Sequence, residues 1–112
     1  MGMRLFFFLL ALLTLTFWPV LGGDFLYWDD IKHIPENPWL TGGELGLFWQ
    51  HPYYLLYIPV AYTFWMALYH LSDAPLIFHL ANVGLHALNA YGVYRLLRVL
   101  RPESARVAVF AA

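Results

Sequence analysis

The sequence predicts an all-α membrane protein with two transmembrane helices, an external loop containing an interfacial helix, and the start of a third membrane helix. Three observations predict it. Of 112 residues, 62% are hydrophobic and 12% charged, with a mean hydropathy of +0.60, whereas about half of an ordinary soluble domain is apolar. Two long apolar blocks stand apart in the chain. Between them lie six of the seven acids, Asp24, Asp29, Asp30, Glu36, Glu44 and Asp73, while five of the six bases lie outside. A membrane span takes roughly 20 residues, so two or three spans and their loops fill this length.

Residues 1–22 open with Arg4 and continue as an apolar run, Leu5 to Leu21, broken only by Thr14 and Thr16 before Gly22-Gly23. Two readings fit: a cleaved signal peptide or an uncleaved transmembrane signal-anchor. The run is longer than a usual h-region of about 7–15 residues and Trp18-Pro19 interrupts the approach to a cleavage site, which favours the anchor.

Residues 23–74 carry loop chemistry, punctuated by Pro35, Asn37-Pro38 and Gly42-Gly43. The stretch also holds Phe25, Tyr27, Trp28, Trp39, Phe48, Trp49, Tyr53, Tyr54 and Tyr57. Trp and Tyr favour the headgroup level, so the loop is expected to lie on the membrane. Residues 55–71 read as an interfacial helix, because Tyr57, Tyr62, Trp65, Tyr69 and His70 leave no centre free of polar tips. Pro75 to Leu97 reads as the second span, with proline in its first turn.

Arg95, Arg98, Arg101 and Arg106 close or follow that span, while the long loop before it has only Lys32. The positive-inside rule then puts the N-terminus and the arginines in the cytoplasm, and residues 23–74 on the non-cytoplasmic side, periplasmic or extracellular. Residues 98–112 read as a cytoplasmic turn at Arg101-Pro102-Glu103-Ser104 and the opening of a third membrane helix at Val107, which suggests a truncated reading frame. The chain has no cysteine, which excludes disulfides and thiolate metal sites. No basic face with interleaved aromatics points to nucleic acid. The partners expected are the lipid bilayer and further transmembrane helices or subunits.

Two groups of residues invite chemistry. His79, Asn82, His86 and Asn89 recur at i, i+3, i+7 and i+10, one stripe of a helix. A polar stripe within a span calls for helices packed against it, as hydrogen-bonding glue or, alternatively, as a proton or substrate path. The two histidines lie about 10 Å apart, too far to share one metal ion. The second group is Trp28-Asp29-Asp30 with His33 and Asn37-Pro38. Repulsion between adjacent carboxylates suits one of them to accept a proton, or both to hold a divalent cation with their oxygens. The plainer reading is a solvated acidic turn or a helix cap.

The segments Asp29-Asp30 with His33-Ile34 and Asn37-Pro38, Tyr62 to Tyr69, Phe78 to Asn82 and His86 to Ala90 together resemble the N-terminal region of the GT-C superfamily of membrane glycosyltransferases. Within it they are most similar to the transmembrane and tetratricopeptide-repeat O-mannosyltransferases and their bacterial relatives. The resemblance implies an inverting transfer of sugar from a polyprenyl-phosphate donor to a protein or other hydroxyl acceptor. Asp29 would be the general base or the metal's ligand, supported by Asp30, while Lys32 and His33, with His51 beyond them, would meet the substrate. Lys32 and His33 also read simply as surface charge. Relatives often carry an arginine after the tyrosines that follow His51-Pro52, where this chain has Leu55-Leu56. No tetratricopeptide repeats follow, so little activity is expected of these 112 residues alone. The rival expectation is a small, non-enzymatic two-span protein that assembles through its polar stripe.

Overall fold

The computed structural model describes residues 2–100. The turn expected at 101–104 and the third membrane helix expected from 107 lie outside the described residues. Within them the chain is helical, in the order α1 (Gly2–Thr16), α2 (Trp18–Leu21), α3 (Asp29–His33), α4 (Pro38–Thr41), α5 (Leu45–Gln50), α6 (Pro59–Leu71) and α7 (Pro75–Leu100).

Among the described residues, no helix is long and apolar enough to cross a membrane. This overturns the fold class of two transmembrane helices, and with it the integral, multi-pass localisation and the orientation derived from it. The physical reasons differ between the two apolar blocks. The first block is not one rod: α1 has 15 residues, roughly 22 Å, against a hydrocarbon core of about 30 Å. It ends in a turn at Phe17, and Pro19 stands in the first turn of α2. A proline there has no N–H for an uninterrupted helix and its ring clashes with the carbonyl four residues back, so it starts a helix more easily than it continues one. The second block, α7, has 26 residues and ample length. It lacks apolarity, because His79, Asn82, His86, Asn89, Arg95 and Arg98 all fall within it.

The described residues divide into two compact units, residues 23–78 and residues 2–22 with 79–100. In Gly23–Phe78, α6 is the central element. Pro59 begins it instead of breaking it, and residues 55–58, expected to be helical, form part of a tight turn and its exit. Ile34, Leu40, Phe48, Tyr62, Met66 and Phe78 form the core, lined by Phe25, Trp39, Tyr53 and Trp65 among others. Phe48 and Tyr62 stack with ring centroids 4.3 Å apart and planes within 13°, an arrangement that adds to simple area burial.

Asn37 organises the chain's path through this core. It is fully buried. Its Oδ1 accepts from the backbone N–H groups of Trp39 and Leu40, capping α4, while its Nδ2 donates to the His33 carbonyl. Pro38 then occupies the first turn, where its missing N–H costs nothing. A second device is the turn Tyr53–Leu56, whose two end residues exchange both backbone hydrogen bonds at 2.9 Å. Its central residues, Tyr54 and Leu55, have φ of 46° and 70°, the left-handed backbone that such a two-residue turn requires and that Gly or Asn ordinarily supplies.

In the other unit, α1 meets α7 through side chains. Val83, Ala87, Ala90 and Tyr94 are buried, as is Leu9 of α1; the four α7 positions recur at helical spacing and make one face. Phe6 meets Tyr91 edge-on at 5.9 Å and Phe17 meets His86 at 6.1 Å, so α1 and α7 run antiparallel.

Candidate functional site

The acidic pair opens α3. Asp29 and Asp30 fall in its first turn and Lys32 and His33 in its last, which matches each charge to the helix end that favours it. The two carboxylates are not equivalent. Asp30 reaches back, and its Oδ2 accepts from the Leu26 backbone N–H at 3.0 Å, pinning the approach to the helix. Asp29 is exposed. Immediately before it, Tyr27 and Trp28 are 90% and 86% exposed, so the carboxylate stands beside two aromatic rings turned to solvent.

The residues expected to meet a donor phosphate are occupied otherwise. The Lys32 ammonium lies 2.6 Å from Glu36 one helical turn on. That hydrogen bond, with the carboxylate's charge, raises its pKa above the ordinary lysine value. His33 is buried, 5% exposed, and its Nδ1 is hydrogen-bonded to the Tyr62 hydroxyl at 2.6 Å. The rings of Tyr53 and Tyr54 close on the imidazole edge-on at 6.1 and 5.7 Å. Burial pushes the Tyr62 phenol up to about 12, with Tyr53 nearby adding to the effect, and burial likewise raises Tyr53. His33 is therefore a packed interior group. His51 is exposed at the C-terminal end of α5, in extended backbone whose N–H bonds to Leu47.

Asp29 and Asp30 do not make a cation site by themselves. Hard divalent cations take six or more oxygen ligands. Among the described residues no three His, Asp or Glu side chains converge, and one carboxylate oxygen of this pair is engaged with a backbone N–H. The residues present do not fit the cation that the resemblance allows for.

The polar stripe divides. His79, Asn82 and His86 line a cleft of about 200 Å³ with Phe17, Val20 and Val83, and Asn89, though exposed, is not among its lining residues. His79, Asn82 and His86 thus share an open, mainly apolar cleft with Phe17 and with Val20 of α2.

Asn37 and Tyr62 hold the site together. The sequence marks Asn37 as turn punctuation, although an Asn followed directly by Pro at the head of a hydrophobic segment is also an N-cap signature, the role it has here. The sequence places Tyr62 among interfacial phenols, whereas it stacks in the core on Phe48, and no local pattern distinguishes the two. Comparison of the chain with protein-family models, with curated proteins and with solved structures gives no match, and no glycosyltransferase is found by any of the three.

Proposed function

We propose that the Gly23–Phe78 unit recognises a saccharide and serves sugar transfer, with Asp29 directed at an acceptor hydroxyl. One observation carries the reading: an exposed carboxylate at the start of α3, directly after two aromatic side chains with most of their surface in solvent. A sugar ring offers both matching surfaces. Its C–H face packs on an aromatic ring, and its hydroxyls donate to a carboxylate in charge-assisted hydrogen bonds, the stronger kind. A carboxylate so placed can also take the hydroxyl proton as the oxygen bonds to the donor's anomeric carbon, while the donor's C–O bond breaks and its phosphate departs with the electron pair. The resemblance of the Asp29-Asp30, His33-Ile34 and Asn37-Pro38 segments to the O-mannosyltransferases supports the same chemistry. The donor implied by that resemblance, a polyprenyl-phosphate sugar, needs a phosphate contact that Lys32 and His33 do not offer, so the proposal concerns the hydroxyl side of the reaction.

The test is saturation-transfer NMR on the full chain with mannosides and glucosides, using Asp29→Asn and Trp28→Ala variants. Transfer to ring protons that falls severalfold in both variants is the expected result. Absence of transfer to any sugar, or transfer equal in all three proteins, would overturn the proposal.

A further inference from the structure

The sequence predicts that the arginines at the end of α7 mark membrane orientation, but among the described residues no helix is long and apolar enough to cross a membrane. Arg95 and Arg98 open on a cleft of about 350 Å³ lined also by Gly2, Tyr94 and Val99, a size within the range of about 300–1,000 Å³ usual for small-ligand sites. All the lining residues belong to one unit. Its described residues, 2–22 and 79–100, contain Arg4, Arg95 and Arg98 and no Asp or Glu, giving a formal charge of 3 − 0 = +3. No described carboxylate of this unit can therefore neutralise either guanidinium. Arg95 is also oriented: its Nη1 donates to the Tyr91 hydroxyl at 3.3 Å, and the Tyr91 and Tyr94 rings stack at 6.1 Å and 27° beside it. That bond engages one of the five guanidinium donors of Arg95.

We propose that Arg95 and Arg98, with Tyr94 as a wall, form a binding site for a phosphate monoester. The spacing selects this class of anion. The two residues are three positions apart, so their forks rise from the helix about 4.5 Å apart along its axis on neighbouring positions of one surface. A planar carboxylate is filled by one bidentate arginine, whereas a phosphate monoester has three terminal oxygens and close to two charges, enough to accept from both forks. The ester's organic group lies against Tyr94 and Val99. This site is independent of the saccharide reading and uses no residue of it.

The experiment is titration of the full chain at low ionic strength, by calorimetry, with glycerol phosphate and with acetate, and flotation with phosphatidylcholine vesicles with and without phosphatidic acid. Glycerol phosphate is expected to bind at least tenfold more tightly than acetate. An Arg95→Gln/Arg98→Gln double variant of unchanged helicity is expected to lose at least tenfold, and Arg95→Lys/Arg98→Lys, which keeps charge without the forks, to fall between. If only vesicles containing phosphatidic acid are captured, and the Gln variant is not, the phosphate belongs to a lipid headgroup. Binding of glycerol phosphate, lost in the Gln variant, with no vesicle capture assigns a free ester. Equal affinity for acetate and glycerol phosphate, a double Gln variant that binds as the parent chain does, or binding in neither arm would overturn the site.

Discussion

His33 Nδ1 and the Tyr62 hydroxyl meet at 2.6 Å across 29 residues of chain, inside the core of the Gly23–Phe78 unit. Tyr62 is 1% exposed, so each group satisfies the other where water does not reach. Tyr62→Phe keeps the ring that stacks on Phe48 and leaves the imidazole nitrogen unpaired. The variant should lose about 1–3 kcal/mol of stability, measured by urea unfolding at neutral pH. A loss below about 0.5 kcal/mol would show that the bond is not formed in solution.

The same phenol sets an alkaline limit. Unfolded, it ionises near pH 10; folded, burial holds its proton until about 12. Between those values the unfolded chain has released a proton that the native chain retains, so stability is full below about pH 10 and falls as pH rises toward 12. Tyr53, raised by burial as well, acts in the same direction. Urea midpoints at a series of pH values from 9 to 12 should decline, and the decline should be shallower in Tyr62→Phe. An identical slope in both proteins would remove Tyr62 as the titrating group.

The two neighbouring aspartates should separate cleanly. Asp30→Ala frees the Leu26 N–H from its acceptor and should cost about 0.5–1.5 kcal/mol, while Asp29→Asn changes an exposed side chain and should stay within about 0.5 kcal/mol. Thermal melts of both variants check the difference. Equal destabilisation by the two would mean that both carboxylates are structural.

Leu55 is 97% exposed with a φ of 70°, a left-handed conformation that costs an L-residue with a Cβ roughly 1–2 kcal/mol. It returns little by packing, since its side chain is almost wholly in solvent. Leu55→Gly should therefore stabilise the chain by about 0.5–1 kcal/mol, the relieved strain exceeding the added flexibility of glycine in the unfolded state. A lower melting temperature for Leu55→Gly would show that the side chain makes contacts the turn depends on.

The legible part of the fold was its helical character. Proline at position 75 announced the start of α7, and Ser72-Asp73 the gap before it. The two spans were misjudged, because composition sums apolar residues without asking which share one continuous rod. Phe17 and Pro19 split the first block, and six polar or charged side chains dilute the second. At the candidate site, the prominence of Asp29 was legible because an acidic pair beside tryptophan stands out from its surroundings. The burial of His33 was not. Its environment comes from Tyr53, Tyr54 and Tyr62, some 20 to 30 residues away, and no local spacing encodes that convergence.

Asn37 has one more consequence. A single amide side chain holds the last carbonyl of α3 with one end and the first amides of α4 with the other. Neither short helix can fray without releasing the other, so both should open in one cooperative step with the core behind them. The amide protons of Trp39 and Leu40 should then exchange with deuterium at the pace of that shared opening, far slower than four- and five-residue helices standing alone would allow.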